Sequence, residues 1–259
     1  MHCKLTSLFG LTAMLGMFCM LLSLAHAAPQ SLGVDVAADR EAGMVYVPGV
    51  RALRIADGAE VWAVSALAPI GGAGALLLVL GQPEPARRER QQMVILGLDP
   101  LTGAERVRCE RTVPGWVVQG MGRSHGHAFA ITTESASDEA VVVHWSASTW
   151  WGDGEDPGPA ILAAARNSDQ GAFRCDLTTG RTRPIQDTSN PAPASNHPVT
   201  LGDVTLTITA GPRVTESAGV VVPDPERRAM RRVLQASRDE AVLWDRYLPS
   251  LQPSGYPPD

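Results

Sequence analysis

The sequence predicts a mainly β fold, and three observations carry that expectation. Apolar residues come in short runs with the length and β-branched content of strands, not in long helical stripes. Twenty prolines and 25 glycines among 259 residues interrupt those runs at close intervals, which suits a turn-rich chain. Gly-terminated turn signals separate successive runs at Asp57-Gly58, Thr102-Gly103 and Thr179-Gly180, the chemistry of hairpins. The composition is that of a globular chain, with 44% hydrophobic residues, 19% charged residues and a formal charge of −5. A disordered chain would hold fewer apolar residues and more net charge. The acidic balance leaves no dense basic face to neutralise phosphates, so nucleic acid is not an expected partner.

In chain order, Met44 to Val47 reads as a strand stopped by Pro48-Gly49. Arg51 to Ile55 and Val61 to Val64 flank Asp57-Gly58 as hairpin arms. Ala75 to Leu80 is continuously apolar and suits a strand buried on both faces. Gln82 to Gln92, with Pro83, Pro85 and the charged run Arg87 to Arg90, is expected as a solvated loop. Met93 to Leu98 and Glu105 to Thr112 flank the turn Asp99 to Gly103. Trp116 to Val118, Ala128 to Thr133 and Ala140 to Trp145 are the next strands. Gly171 to Asp176 and Arg181 to Ile185 pair around Leu177 to Gly180, and polar residues 187–198 form a loop. Val199 to Thr209 alternates as one strand does, and Gly219 to Val222 is another. The tail differs. From Pro225 to about Leu248 no glycine occurs, and Met230, Val233, Leu234, Val242 and Leu243 recur at helical intervals. Pro225 and Pro249 bracket that stretch, which predicts a C-terminal helix with a solvated basic face of Arg227, Arg228, Arg231 and Arg232.

Residues 1–27 read as an export signal. His2 and Lys4 precede an uncharged stretch from Leu5 to Ala25, and Ala25-His26-Ala27 offers small residues where a signal peptidase cuts. An uncleaved anchor is the alternative, because about 20 apolar residues can span a bilayer; the membrane would then be met through this segment alone. The expected organisation is a signal peptide over 1–27, a β-rich domain over 28–224, and a helix and tail over 225–259. Lys4 is the only lysine, so Schiff-base catalysis and a P-loop lysine are excluded from the processed chain. The expected location is the periplasm or the exterior. Of the four cysteines, Cys3 and Cys19 leave with the signal. In an oxidising compartment Cys109 and Cys175 most simply form a disulfide. Closing that loop stabilises the fold by roughly 4 kcal/mol in the chain-entropy model. No His or third Cys stands at ligand spacing beside either one, which argues against a metal there.

Three segments share a form: Ala52 to Trp62 around Asp57-Gly58, Leu96 to Val107 around Asp99-Pro100-Leu101-Thr102-Gly103, and Phe173 to Thr182 around Asp176-Leu177-Thr178-Thr179-Gly180. In each, a strand reaches a turn ending in Gly and a second strand leaves with a charged residue. The form resembles the turn between outer strands of blades in pyrroloquinoline-quinone-type and related β-propellers, where L-D-x-x-T-G recurs. Gly58 and Gly103 are about 45 residues apart, and Gly103 and Gly180 about 77, near two blades of about 40. The first segment lacks Thr before Gly, and the likeness covers about 35 residues. It implies a propeller-like body of four or five blades, complete or partial, with the C-terminal helix outside the pattern. A β-sandwich is the alternative. No quinone-binding residue is carried over, and no cofactor is expected.

Three constellations are candidates for function. Gly122-Arg123-Ser124-His125-Gly126 matches G-x-S-x-G, the nucleophile elbow of serine hydrolases, and Asp153 and His197 follow in the order such a triad takes. Against it, Ile131, Thr132 and Thr133 follow where a helix should open, and the βαβ alternation is missing; the other reading is a Gly-rich turn. His125 and His127 would share one strand face and could ligate a metal with His144 or a distant carboxylate, or lie as surface histidines. Trp145, Trp150 and Trp151 surround Gly152-Asp153-Gly154-Glu155-Asp156. Paired tryptophans beside Asp153, Glu155 and Asp156 could stack on a sugar or anchor an interface; the acids lack the D-x-D-x-D spacing of a Ca²⁺ loop. The alternative is core tryptophan with solvated acids. The expected function is an exported, non-catalytic binding or scaffold protein of the cell envelope, such as an inhibitor or immunity protein, that meets another envelope or secreted protein through the loop from Trp145 to Asp156. The alternative is a secreted serine hydrolase using Ser124.

Overall fold

The structure, a computed structural model, describes residues 28–32, 35–82, 90–114, 117, 127–149, 168–186, 198–210 and 232–248. It is mainly β. Sheet 1 holds β1 (Gln30–Ser31), β2 (Ala37–Asp39), β3 (Met44–Val47), β4 (Arg51–Arg54) and β5 (Glu60–Ala63). Sheet 2 holds β6 (Ala66–Ala73), β7 (Leu76–Gly81), β8 (Arg90–Leu98) and β9 (Glu105–Pro114). Sheet 3 holds β10 (His127–Ser137), β11 (Ala140–Thr149), β12 (Ser168–Asp176) and β13 (Thr182–Ile185). Sheet 4 holds β14 (Val199–Leu201), β15 (Val204–Ala210), β16 (Arg232–Arg238) and β17 (Ala241–Leu248). Every sheet is an antiparallel meander whose spatial order is its chain order.

Side-chain alternation decides how the sheets stack, since successive residues of a strand face opposite ways. In β3, Val45 and Val47 face one side and Met44 and Tyr46 the other, and all four are buried. Val45 and Val47 join Leu206, Leu234 and Trp244 of sheet 4 in one apolar cluster. Met44 and Tyr46 join Leu77, Val79 and Leu96 of sheet 2 in a second. Leu78, Met93 and Ile95 on the other face of sheet 2 pack on Val141, Val143 and Phe173 of sheet 3. Sheets 4, 1, 2 and 3 therefore follow one another face to face. Among the described residues no buried cluster spans sheets 3 and 4.

The three turns alike in sequence are alike in geometry. Gly103 N–H donates to the Asp99 carbonyl and Gly180 N–H to that of Asp176, at 2.8 and 2.9 Å. In the first turn Gly58 N–H donates to Arg54, so Arg54 holds the place of those aspartates. Asp57 then stands where Thr102 and Thr179 stand: its Oδ1 accepts from Ala59 N–H as their hydroxyls accept from Ala104 and Arg181. That is why a segment without Thr before Gly still forms the loop. The three glycines have φ of 68, 71 and 71°, a region other residues reach only at a cost.

Each of these turns is seated on the outermost strand of the preceding sheet. A Cβ on Gly103 would stand 2.7 Å from the Trp62 ring of β5, and one on Gly58 2.9 Å from the Trp244 ring of β17. Trp62 Nε1 donates to the Pro100 carbonyl at 3.1 Å, and Trp244 Nε1 to the Ile55 carbonyl at 2.7 Å, the corresponding loop position. At the third seat the Trp62 place belongs to Val107, and Gly180 lies against the Arg108 carbonyl of β9. Among the described residues no indole clasps this seat. The Cys109–Cys175 disulfide joins β9 to β12 there with Cα atoms 6.1 Å apart, and Thr182 Oγ1 donates to the Glu110 carbonyl.

Several sequence expectations are corrected. The C-terminal helix is absent over 232–248, where β16 and β17 instead pair with β15. Trp244 and Leu248 are the two buried residues of β17, four apart, which imitates a helical stripe. The turn between the strands is Asp239-Glu240, with φ of 48 and 66°, so it uses left-handed backbone without the Gly or Asn that announces it. Arg232, expected on a solvated helix face, pairs through both guanidinium nitrogens with the fully buried Asp35. Val199 to Thr209 is not one strand but the hairpin β14–β15, which turns at Gly202-Asp203. The loop assigned to Gln82 to Gln92 yields to strand at Arg90. Three strands, β1, β2 and β6, had no counterpart in the sequence reading. The signal segment, Pro225 to Arg231 and the strand expected at Gly219 to Val222 lie outside the described residues.

Candidate functional site

Antiparallel meanders sort their connections to two ends. One end collects the links β2–β3, β4–β5, β6–β7, β8–β9, β10–β11, β12–β13, β14–β15 and β16–β17, none longer than six residues. Contacts bind these turns together. Ile55 N–H donates to the Gly43 carbonyl at 2.9 Å, Leu177 N–H to that of Glu139 at 2.8 Å, and Tyr46 Oη to that of Pro100 at 3.1 Å. The opposite end collects the remaining links, and every connection longer than six residues leaves from it: 82–89, 115–126, 150–167, 186–198 and 211–231. Contacts mark that end among the described residues as well, among them Val64 N–H donating to the Val50 carbonyl at 3.0 Å. Gly49 N–H donates to the Leu67 carbonyl at 2.9 Å, and the Arg232–Asp35 pair ties the start of β16 to the approach to β2.

Of the candidates from the sequence, Trp145, His127 and His144 are among the described residues. Trp145 is a core residue, 7% exposed; its ring lies over Gly171, its register partner on β12, where a Cβ would stand 3.0 Å from Nε1. It is not available as a contact side chain. Trp150, Trp151, Asp153, Glu155, Asp156, Ser124, His125 and His197 lie outside the described residues. His127 opens β10, opposite Thr149. Among the described residues no three His, Cys, Asp or Glu side chains gather as a metal site.

Sequence reasoning undervalued one polar pair. His144 of β11 and Thr132 of β10 are direct register partners on the face of sheet 3 turned away from sheet 2. Both are orphaned: His144 Nε2 and Thr132 Oγ1 are buried without a hydrogen-bond partner among the described residues. The exposed Glu134 carboxylate lies 3.8 Å from Nε2. The polar-in position of His144 between Val143 and Trp145 was the available signal, and period-two alternation could have found it.

The perturbed carboxylates belong to turns. Hydrogen bonding from Ala59 N–H, ahead of the Arg54 guanidinium, holds the Asp57 carboxyl below its usual range. The Arg106 guanidinium, followed by the Thr102 and Leu101 amides, does so for Asp99. The Thr179 amide leads at Asp176. Burial pushes the Tyr46 phenol far above its ordinary value. These groups fasten loops to strands at the short-turn end. No protein-family model matches the chain, and no curated protein matches it.

Proposed function

We propose that this chain is an exported, non-catalytic binding or scaffold protein of the cell envelope. In this reading its four sheets are blades of a propeller-like ring, and the end bearing the long connections is its contact surface. The observation that carries the reading is the segregation of connection lengths. Short, mutually bonded turns hold one end rigid, while every connection beyond six residues leaves from the other. Binding residues concentrate on loops held by a rigid scaffold. The connection from Thr149 to Ser168 contains Trp150, Trp151, Asp153, Glu155 and Asp156, aromatic anchors beside carboxylates. The disulfide is compatible with a periplasmic or external location. Capture of an envelope protein that is lost in a Trp150→Ala/Trp151→Ala double variant is the expected result. Equal capture by both forms discards the loop as the contact region.

One observation favours a second reading, a serine hydrolase. Ser124, Asp153 and His197 belong to three connections whose flanking strands all end at the same end of the molecule. A fluorophosphonate probe separates the two: labelling abolished by Ser124→Ala supports the hydrolase, and absence of labelling supports the binder.

A further inference from the structure

The seating of turns on strands leaves one turn and one strand over. Sheet 1 seats its outer turn on β17, sheet 2 on β5 and sheet 3 on β9. What remains is the β16–β17 turn of sheet 4 and the outermost strand of sheet 3, β13. Their charges are opposite.

The turn consists of Asp239 and Glu240, both exposed. Both hold left-handed backbone, with φ of 48 and 66°, where an Asn-Gly pair would sit without cost; the chain keeps two acids there instead. The strand side carries Arg174, Arg181 and Arg183, all exposed. Arg174 and Arg183 are directly opposed in register, an arrangement in which like charges repel. None of the three guanidiniums has an ion pair among the described residues, whereas Arg51, Arg54, Arg106, Arg108, Arg232 and Arg238 all do. Pro184 follows Gly180 at the distance at which Trp62 follows Gly58 and Val107 follows Gly103, so this strand has no indole with which to clasp a turn. Behind the Thr179 amide, the Arg174 charge helps hold the carboxyl of Asp176 in the same loop below the usual range. Asp203 pairs with Arg238 at 2.8 Å, and Asp176 Oδ1 accepts from the amides of its own loop.

We propose that the Asp239-Glu240 turn docks on the arginine-bearing β12–β13 hairpin of the same chain, an ionic latch that brings sheet 4 against sheet 3. Sheet 4 is already fixed to sheet 1 by Trp244 and Arg232, so the turn is tethered and its effective concentration at β13 is high. Three seats rest on indoles, backbone hydrogen bonds and a disulfide. The fourth rests on exposed charge, which salt screens. It is therefore the seat that opens first.

The chain's single lysine allows a direct test. Arg183→Lys keeps the charge and places on β13 the only amine besides Lys4 and the N-terminus. Zero-length carbodiimide coupling at low ionic strength should join that amine to Asp239 or Glu240 within monomeric protein, as mapped by mass spectrometry. The yield should fall several-fold at about 0.5 M salt, where the screening length is only a few ångström. The same link found only in covalent dimers overturns the proposal in favour of contact between copies. Coupling of the amine to other carboxylates with none to Asp239 or Glu240 overturns it as well.

Discussion

Replacing Trp244 by Phe removes one N–H and part of one ring, and the structure says what each loss costs. Trp244 is 7% exposed, its ring covers Gly58, and its Nε1 donates to the Ile55 carbonyl at 2.7 Å. That carbonyl then loses its indole donor, which costs about 1–3 kcal/mol when an acceptor is left buried and unpaired. The missing ring atoms add about 1 kcal/mol. Trp62→Phe is the internal control. Its acceptor, the Pro100 carbonyl, also receives the Tyr46 hydroxyl at 3.1 Å and so stays satisfied. Loss of that indole bond costs only about 1 kcal/mol. Trp244→Phe should therefore lower stability by about 2–4 kcal/mol and Trp62→Phe by about 1–2 kcal/mol. For a chain of this size the first is a fall of roughly 4–16 °C in Tm. Urea unfolding of the oxidised protein, with m unchanged, measures both. Equal losses, or the reverse order, refute the argument that the indole–carbonyl clasp fixes sheet 4 to sheet 1.

Other outcomes follow from the same seats. Reducing the Cys109–Cys175 bond, which spans 66 residues, should remove roughly 4 kcal/mol; calorimetry with and without reductant reads it, and a change below about 1 kcal/mol would mean the seat holds without it. Gly180→Ala should destabilise more than Gly43→Ala. Both glycines have positive φ, but a Cβ on Gly180 meets the Arg108 carbonyl at 2.3 Å whereas one on Gly43 meets nothing within 4 Å. Arg232→Met leaves Asp35 buried and unpaired and should cost about 3–5 kcal/mol; adding Asp35→Leu should recover most of that loss in a double-mutant cycle. The carboxyls of Asp57, Asp99 and Asp176 are held below their unfolded values. Their contribution is thus present above about pH 4 and lost as pH falls through the lower folded values. A triple Asn variant should be less stable at neutral pH and lose less on acidification.

Much of the sheet structure was legible because it rests on local chemistry. Gly58, Gly103 and Gly180 sit at positive φ where only glycine is unstrained, so the turns announced themselves and their flanking strands followed. The cysteine pair was legible from number and the expected compartment, but its place was not. That it bridges β9 and β12 at the seat with Val107 in place of an indole depends on how two sheets stack, which no local pattern encodes. Strand β6 was hidden for a related reason. Pro69 and two glycines read as punctuation, yet β6 is an edge strand with bulges at Ala66/Ala68 and Pro69/Gly71, and edges tolerate such residues. Trp145 looked like part of a surface cluster because Trp150 and Trp151 follow it. Only its register opposite Gly171 reveals a core side chain.

The misread tail bears on the latch itself. A hairpin is recognised in sequence by residues that make its turn cheap, and β16–β17 withholds that signal by turning through Asp239 and Glu240. A bulge between Ala236 and Ser237 shifts the strand's alternation at the same place. The lack of glycine that helped the segment look helical is thus also what makes its turn costly and acidic. Strain kept at a surface turn, where substitution by glycine would relieve it, points to a role for the side chains rather than for the backbone. Asp239→Asn with Glu240→Gly separates the two contributions. The variant should gain stability at high salt, where the strain is relieved and the ionic contact is screened anyway. At low salt that gain should shrink, because the two lost charges are then missed. A gain of the same size at both ionic strengths, read by thermal unfolding, would leave the acids without a partner.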